Sequence, residues 1–369
     1  MRRVVWLVKG LGPGGAERLL AAAAGAHDRT QFAIEIVYLL PWKDHLVPEI
    51  EALGVPCTCL DVRDERDVRW AKRLRSHLRA GKVDVVHCHS PYAAAIGRIV
   101  VRSMPRGGRP SLVTTEHNPW STFKAPTRYA NALTMPLDAA VIAVSEEARA
   151  SMGVRQRARA EVLVHGIDVA AIGALRRERG SVRDELGVPE DALLLGTVAN
   201  YHPKKDWPNL LLAIRRLADR GVPVRVCAVG QGPLENDVEK LHRELGLDDV
   251  VILTGYRPDA ARLMAGCDMF VLASKWEGLP VALMEASALG LPIVSTRVGG
   301  IPDAFREGVD AVLVPAEEPE QLAGAIESLV SDPEQRARLG AAAKLRSVDF
   351  DVRRAVARIE AIYDEVAPR

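Results

Sequence analysis

Short apolar runs alternate with amphipathic helical segments along this chain, and the alternation starts again near the middle. In the first half, runs typical of β-strands cover residues 4–8, 32–40, 83–87, 111–115 and 139–144. In the second half, they cover residues 193–199, 224–229, 250–254, 269–273 and 292–295. Strands that alternate with helices form parallel sheets with helices on both faces. The sequence therefore predicts two doubly wound α/β domains, which bind ligands outside the carboxyl ends of their strands and face a cleft.

Composition excludes several classes of protein. The chain has 369 residues, which suits two domains, and 49 Lys and Arg against 48 Asp and Glu give a net charge of +1. This balance excludes a globally basic nucleic-acid binder, so no nucleic-acid partner is expected. Five cysteines without a CxxC pair favour the cytoplasm. No apolar run reaches the roughly 18 residues that span a bilayer, and the basic then apolar start predicts a strand rather than a signal peptide.

A glycine-rich segment at residues 10–15 matches GxGxxG between a predicted strand and a predicted helix. Glycines let a ligand approach the backbone, and a helix N-terminus offers N–H groups to an anion. A dinucleotide site needs an acidic residue about 20 positions further on, at the end of the second strand. That strand ends without one, so we expect another substrate here. A tight turn without a ligand is the alternative.

Two carboxylates stand eight positions apart in the second half. Glu277 follows the predicted strand 269–273, and Glu285 lies about one turn into the next helix, among apolar residues. Helix-start N–H groups between them favour a phosphate, and a buried carboxylate needs partners. The pair therefore suits a nucleotide sugar, which has hydroxyl groups on both sides of a diphosphate. In the alternative interpretation, Glu277 caps the helix and Glu285 is solvated.

The Glu277–Glu285 spacing resembles the E-x7-E motif of the retaining GT-B glycosyltransferases of family four, the glycosyl transferases group 1. Further segments resemble motifs of that family in the same order: G-P-G-G-A-E at 12–17, D-V-V-H-C-H at 84–89, T-E-H at 115–117, V-H-G-I-D at 164–168, P-K-K-D at 203–206, V-G-Q-G-P at 229–233, T-G-Y-R at 254–257 and V-G-G-I-P at 298–302. The resemblance implies an acceptor-binding Rossmann-like domain over 1–175 and a nucleotide-sugar-binding one over 176–350. It also implies that a C-terminal helix within 351–369 crosses back to the first domain.

The resemblance implies roles for the residues that would bind the nucleotide-sugar donor. Glu285 would hold the ribose, Glu277 would bind hexose hydroxyls, and Lys205 would neutralise the leaving diphosphate, where a cation lowers the barrier. Backbone N–H groups that would position sugar and phosphate belong to Gly278, Leu279 and Val281. The alternative for Lys205 is a solvated loop lysine.

Four further positions belong to the implied site. His117 would lie near the acceptor and act in catalysis together with Lys205 and Glu277, unless it is a structural histidine. Gly15 would allow close approach of phosphate or sugar, and Arg257 would contribute its backbone to the base pocket. Asn200 stands where the family usually has arginine, so it keeps a hydrogen-bond donor but loses the charge.

Neither a metal nor another cofactor is expected. His87 and His89 have no further ligands at a suitable spacing, and Asp248-Asp249 is not a D-x-D motif and precedes a strand. The resemblance therefore implies metal-independent transfer with retention of anomeric configuration, in which the leaving phosphate assists front-face attack. The nucleotide sugar is a substrate rather than a cofactor.

Basic segments in the first half suggest an anionic partner. The predicted helix 68–79 is strongly basic, with Trp70 and Leu74 as shallow membrane anchors, and a second basic stretch is formed by Arg98, Arg102, Arg106 and Arg109. We expect a cytoplasmic protein that contacts the anionic inner membrane face. The alternative is a solvated helix with an apolar inner stripe.

The sequence thus predicts a hexosyltransferase that uses a UDP- or GDP-linked sugar. Its acceptor would be a lipid-linked or cell-envelope glycan, another sugar or a small molecule. The alternatives are a nucleotide-sugar 2-epimerase of the same fold and a non-catalytic nucleotide-sugar-binding protein.

Overall fold

The computed structural model describes residues 1–64, 67 and 69–367. The predicted helix start at Val68 and the last two residues of the predicted 351–369 segment therefore lie outside the described residues. The chain forms two compact units, Met1–Gly166 with Val352–Arg369 and Ile167–Asp351. The first boundary lies earlier than residue 175, because the helix Val169–Ala174 packs on a helix of the second unit.

The first unit is built on a seven-stranded parallel sheet in the order β3-β2-β1-β4-β5-β6-β7. Its strands are β1 (Arg2–Val8), β2 (Phe32–Tyr38), β3 (Cys57–Cys59), β4 (Val85–Cys88), β5 (Ser111–Glu116), β6 (Ala140–Ala143) and β7 (Ala160–Val162). Its helices are α1 (Gly15–Ala26), α2 (Val47–Ala52), α3 (Trp70–Gly81), α4 (Pro91–Arg102), α5 (Ala125–Thr134), α6 (Glu146–Ala150), α7 (Val154–Arg157) and, at the end of the chain, α17 (Val352–Val366).

The second unit is built on a six-stranded parallel sheet in the order β10-β9-β8-β11-β12-β13. Its strands are β8 (Leu193–Val198), β9 (Val224–Val229), β10 (Val251–Gly255), β11 (Met269–Leu272), β12 (Ile293–Thr296) and β13 (Val312–Val314). Its helices are α8 (Val169–Ala174), α9 (Arg179–Glu185), α10 (Trp207–Asp219), α11 (Glu235–Glu244), α12 (Ala260–Ala265), α13 (Val281–Ala288), α14 (Ile301–Ala304), α15 (Pro319–Ser331) and α16 (Pro333–Arg346).

The two sheets confirm the prediction of two Rossmann-like domains. In each sheet the strand order reverses once, between β1 and β4 in the first unit and between β8 and β11 in the second. Ligands of such sheets bind at this switch point, beyond the carboxyl ends of the strands. The second unit therefore presents the loops after β8 and β11 at its ligand-binding edge.

Helix α17 completes the core of the first unit. One side of it carries Val352, Val356, Ile359 and Ile362, all buried in a cluster with β1, β2 and α1. The Trp6 indole Nε1 donates to Tyr363 Oη at 2.9 Å, and His87 Nδ1 lies 2.6 Å from the same oxygen. The last helix is thus attached to the centre of the sheet by packing and by hydrogen bonds.

The predicted membrane anchors on α3 are wrong. Trp70 and Leu74 are fully buried, because together with Leu78 they form the stripe that packs against the sheet. Such i, i+4, i+8 spacing places side chains on one helix face. The basic side chains of α3 therefore surround an apolar face that is already covered.

Arg98 also differs from the prediction, because it is buried rather than part of an exposed basic stretch. Its guanidinium donates to Asp138 at 2.7 and 2.8 Å and to Asn131 Oδ1 at 2.6 Å. A charge without solvent needs such partners. Arg98 therefore joins α4, α5 and the start of β6 inside the first unit.

Candidate active site

Lys205 and Glu277 meet at the switch point of the second sheet. Strands β8 and β11 pair in parallel, and a short 3-10 turn, Pro203–Lys205, follows β8 while Glu277 follows β11. Lys205 Nζ donates to Glu277 Oε1, and Ser274 Oγ donates to the same oxygen at 2.7 Å. Glu277 is only 4% exposed. A buried carboxylate is thus held by a cation and a hydroxyl group.

Backbone hydrogen bonds fix the loops that carry this pair. Lys275 N donates to Lys204 O at 2.8 Å, which ties the loop after β11 to the turn after β8. Thr296 Oγ1 donates to Ser274 O at 2.6 Å, which ties the loop after β11 to the end of β12. Groups held in this way need little reorganisation when charge develops nearby.

Close contact between two backbone segments explains why the V-G-G-I-P segment has two glycines. Gly300 N donates to Gly278 O at 3.0 Å, and a Cβ at Gly300 would lie 2.9 Å from that oxygen. Gly299 has a φ of +53°, which glycine adopts without strain. The loop before α14 therefore packs on the loop before α13.

Helix α13 begins directly after Pro280, which has no N–H to donate. Glu285 is the fifth residue of the helix and is partly exposed, whereas Leu283, Met284 and Ala286 are buried. The helix is thus mostly buried, as the sequence predicts, and Glu285 lies where its side chain retains access to solvent. Leu279 and Val281, on either side of Pro280, are also partly exposed.

Two other residues that the sequence predicts to bind the nucleotide-sugar donor lie after strand ends of the second unit. Asn200 is exposed in the loop after β8, and its carbonyl accepts a hydrogen bond from Trp207 Nε1 at 3.2 Å. Arg257 follows β10, and its guanidinium pairs at 2.8 Å with both Glu185 and Asp259. These partners raise the pKa of Arg257. Its side chain is therefore engaged within the unit, and only its backbone suits the predicted contact.

The first unit carries Gly15 and His117. Gly15 is the exposed first residue of α1, after β1. His117 follows β5, remains partly exposed, and its Nε2 lies 3.2 Å from His89 Nδ1. The ring of His165 stacks edge-on at 5.2 Å from that of His117, and the rings of His87 and His89 are 4.0 Å apart. We call these four side chains the imidazole cluster.

Desolvation keeps the imidazole cluster neutral. It lowers the pKa of His117 to about 3 and that of His165 to about 4, and it holds the pKa values of His87 and His89 well below the ordinary value. His117 therefore offers a neutral imidazole, which both donates and accepts hydrogen bonds. Sequence reasoning missed His89 and His165 as its neighbours, although both stand in quoted motifs.

Glu116 precedes His117 and is buried. Its Oε1 accepts from Asn131 Nδ2 at 2.6 Å, so it extends the network of Arg98. Burial raises the pKa of Glu116 to about 7. This network fixes the end of β5, from which His117 projects.

The described residues contain neither a metal-binding cluster nor a membrane-spanning helix. In residues 1–64, 67 and 69–367, no group of three or more His, Cys, Asp or Glu side chains is placed to hold a metal ion. Over the same ranges, no helix has the length and apolar character needed to cross a membrane.

Comparison with known proteins shows the family of the chain. Residues 178–346 match the family profile of glycosyl transferases group 1, and residues 13–171 match that of glycosyltransferase family 4. The chain belongs to the group 1 glycosyltransferases, and it is a glycosyltransferase of the GT-B fold, as the motifs predict.

Individual proteins are similar over most of the chain. UDP-Gal:alpha-D-GlcNAc-diphosphoundecaprenol alpha-1,3-galactosyltransferase of Escherichia coli is 24% identical over 288 residues, which cover 74% of this chain and 73% of that protein. N-acetyl-alpha-D-glucosaminyl L-malate synthase of Bacillus anthracis is 25% identical over 306 residues, which cover 81% and 79%. The fold resembles that of HepE from Anabaena, solved in complex with UDP and glucose, with a TM-score of 0.84 and 21% identity over 98% of this chain and 99% of that one.

Proposed function

We propose that the protein transfers a hexose from a UDP- or GDP-linked sugar to an acceptor hydroxyl, with retention of anomeric configuration. The observation that carries this proposal is the ion pair between half-buried Lys205 and buried Glu277, beyond β8 and β11. It lies at the edge of the sheet where doubly wound folds bind nucleotides. The UDP complex of HepE and the UDP-galactose in the name of the E. coli relative support a uridine donor.

In this proposal, the donor lies along the loop between β11 and α13. Glu285 accepts hydrogen bonds from the ribose, and Glu277 accepts them from hexose hydroxyls. The first N–H groups of α13, that of Val281 among them, and those of Gly278 and Leu279 face the diphosphate, because a helix N-terminus attracts anions. Asn200 and the backbone of Arg257 complete the donor contacts that we propose for the second unit. For the exposed helix start at Gly15, in the first unit, we propose a contact with phosphate or sugar.

Charge on the leaving diphosphate is balanced by Lys205. As the bond between C1 and the phosphate oxygen breaks, negative charge grows on that oxygen, and a preorganised cation lowers the barrier. Lys205 moves from its ion pair with Glu277 towards this charge, or its ammonium group donates hydrogen bonds to Glu277 and to the phosphate oxygen at the same time. No metal ion is needed in this scheme, and turnover should therefore persist in EDTA.

We propose that retention proceeds by front-face attack rather than through a covalent intermediate on Glu277. Its Oε1 already accepts from Lys205 and Ser274, which makes this oxygen a poor nucleophile. The acceptor oxygen attacks C1 on the face that the diphosphate leaves, and the acceptor proton passes to the departing phosphate oxygen. The anomeric proton of the product, measured by NMR, distinguishes retention from inversion.

The acceptor is a lipid-linked or cell-envelope glycan in our proposal, bound by the first unit beside the neutral His117. The E. coli relative is named for an acceptor on a lipid diphosphate, which supports this choice. The reaction would then occur in the cytoplasm at the inner membrane face.

Substitution of Glu285 by Ala should remove most of the thermal stabilisation that the cognate nucleotide gives. A ligand that binds only the folded state raises the melting temperature. The loss of charge-assisted hydrogen bonds to ribose should weaken binding by about 10–100-fold. The measurement is a thermal-shift series with UDP, GDP, ADP and their sugars.

Glu334→Ala is the matched control, because Glu334 is an exposed carboxylate on α16 of the same unit. This variant should keep the full nucleotide-dependent shift. An unchanged shift in Glu285→Ala would remove Glu285 from the site, and the absence of a shift with every nucleotide would overturn the proposed donor.

A further inference from the structure

Three large apolar side chains of the first unit stand out into solvent. Tyr129 and Leu133 on α5 are 62% and 80% exposed, and Val154 at the start of α7 is 75% exposed. Tyr129 and Leu133 are four positions apart, so they lie on the same helix face. Scattered single residues of this kind are normal, whereas larger contiguous apolar patches mark interaction sites. We call these three residues the α5–α7 patch.

The two helices that carry the patch are joined to each other. Gln156 Nε2 on α7 donates to Ala132 O on α5 at 3.1 Å. Below them, Met135 and Met152 belong to one buried cluster, against which Ala132 packs. The base of the patch is therefore fixed, while its three outer side chains are exposed to solvent.

The two segments that carry the α5–α7 patch contain several cations and no acids. Residues 120–137 and 148–160 contain no Asp or Glu. Exposed cations flank the apolar side chains: Lys124, Arg155, Arg157 and Arg159. The Arg128 guanidinium lies 5.5 Å from the centre of the Tyr129 ring. An apolar centre with a cationic rim complements the headgroup region of an anionic bilayer.

We propose that the α5–α7 patch inserts into the headgroup region of a membrane that contains anionic lipid. The three apolar side chains enter the boundary between headgroups and acyl chains, and the cations contact lipid phosphates. This goes beyond the proposed transfer reaction, because the contact needs neither donor nor acceptor. It also moves the predicted membrane contact away from α3, whose predicted anchors Trp70 and Leu74 are buried, and away from the arginine stretch that begins on α4.

The experiment is flotation of the full-length protein with vesicles of phosphatidylcholine alone or mixed with phosphatidylglycerol. The wild type should float with the mixed vesicles, and less so at high salt, because exposed charges are screened. The triple variant Tyr129→Ser, Leu133→Ser, Val154→Ser should bind about tenfold more weakly or worse. Since these side chains are exposed, the variant should keep the wild-type melting temperature and its nucleotide-dependent shift.

Two controls separate the patch from other surfaces. Leu345→Ser with Val348→Ser removes apolar groups that are 78% and 57% exposed in the second unit, and Ile99→Ser removes one that is 58% exposed on α4. Both should bind vesicles like the wild type. A loss of binding in Ile99→Ser would overturn the proposal in favour of α4.

Three other results would also overturn it: no flotation of the wild type, equal flotation of the triple variant, or a wild-type dimer that the triple variant converts to a monomer without vesicle binding. The last result would identify the patch as a contact between copies. Because vesicle binding and the nucleotide-dependent shift are measured separately, failure of this proposal is distinguishable from failure of the proposed donor site.

Discussion

Replacing Lys205 with Met should lower turnover by about 10²–10³-fold, the usual effect of losing one preorganised group that stabilises developing negative charge. The side chain of Lys205 lies on Glu277 at the switch point, so its removal takes away the nearest cation described there. Release of nucleoside diphosphate from the donor that gives the largest thermal shift measures the effect. The assay is run with and without EDTA, and the chelator should leave the wild-type rate unchanged.

Structural damage must be separated from lost catalysis in this variant. Lys205→Met leaves the buried carboxylate of Glu277 without its cation, and an unpaired buried charge destabilises the fold. The double variant Lys205→Met, Glu277→Gln removes that charge, so it should recover melting temperature without recovering turnover. Lys240→Met, on the exposed face of α11, is the control for a lost lysine. Full turnover in Lys205→Met would exclude the proposed role of Lys205.

Acidification below pH 6.5 should destabilise the first unit steeply. The folded state keeps the imidazole cluster neutral, with pKa values of about 3 for His117 and about 4 for His165. An unfolded histidine has a pKa near 6.5. Between that value and the folded values, the unfolded chain binds more protons, so the free energy of unfolding falls as the pH falls. Each such histidine contributes about 1.4 kcal/mol per pH unit.

Buried carboxyls have the opposite effect on the free energy of unfolding, because burial raises their pKa values. The pKa of Glu116 is raised to about 7. Between about pH 4.5 and 6.5, the folded state therefore binds a proton on Glu116 that the unfolded state does not bind. This cancels the effect of one histidine on the free energy of unfolding in that range. The pKa values of His87 and His89 are also lowered, well below their ordinary value. Burial also raises the pKa values of Glu17 and Asp138 in the first unit. Four histidines still outnumber these three carboxyls, so stability should fall as the pH falls.

Urea unfolding at a series of pH values measures this dependence, with tryptophan fluorescence as the signal, since Trp6 lies 5.3 Å from the ring of His89. His165→Asn should reduce the slope of the free energy of unfolding against pH by about 1.4 kcal/mol per pH unit. His45→Asn, at an exposed position, should leave it unchanged. Stability that is independent of pH between 6.5 and 4.5 would contradict the description of the cluster as desolvated and neutral.

Much of the second unit could be predicted from the sequence, because its strands are continuous apolar runs and its motifs stand at strand ends. The contact between Lys205 and Glu277 follows from two such loops that meet at one switch point. Ser274 was missed, since nothing in the local pattern shows that its hydroxyl turns towards Glu277. The short edge strands β3, β7 and β13 have three residues each, too few to show a periodicity.

The first unit shows where local patterns are insufficient. The spacing of Trp70 and Leu74 fits a membrane-facing stripe and a core-facing stripe equally well, and only the sheet beneath α3 decides between them. Arg98 is an arginine in an amphipathic helix, and its partner Asp138 lies forty positions away. The imidazole cluster likewise gathers residues from the ends of different strands, which no short motif contains.

The attachment of Tyr363 to Trp6 and His87 has a consequence for biosynthesis. The ribosome completes the second unit before α17 emerges, so part of one face of the first sheet remains uncovered until then. A nascent chain that has reached Gly166 has every strand of that sheet and lacks one of the helices that cover this face. Early in synthesis this protein therefore presents an apolar surface suited to chaperones, and truncation before Tyr363 should cause aggregation rather than yield a shorter enzyme.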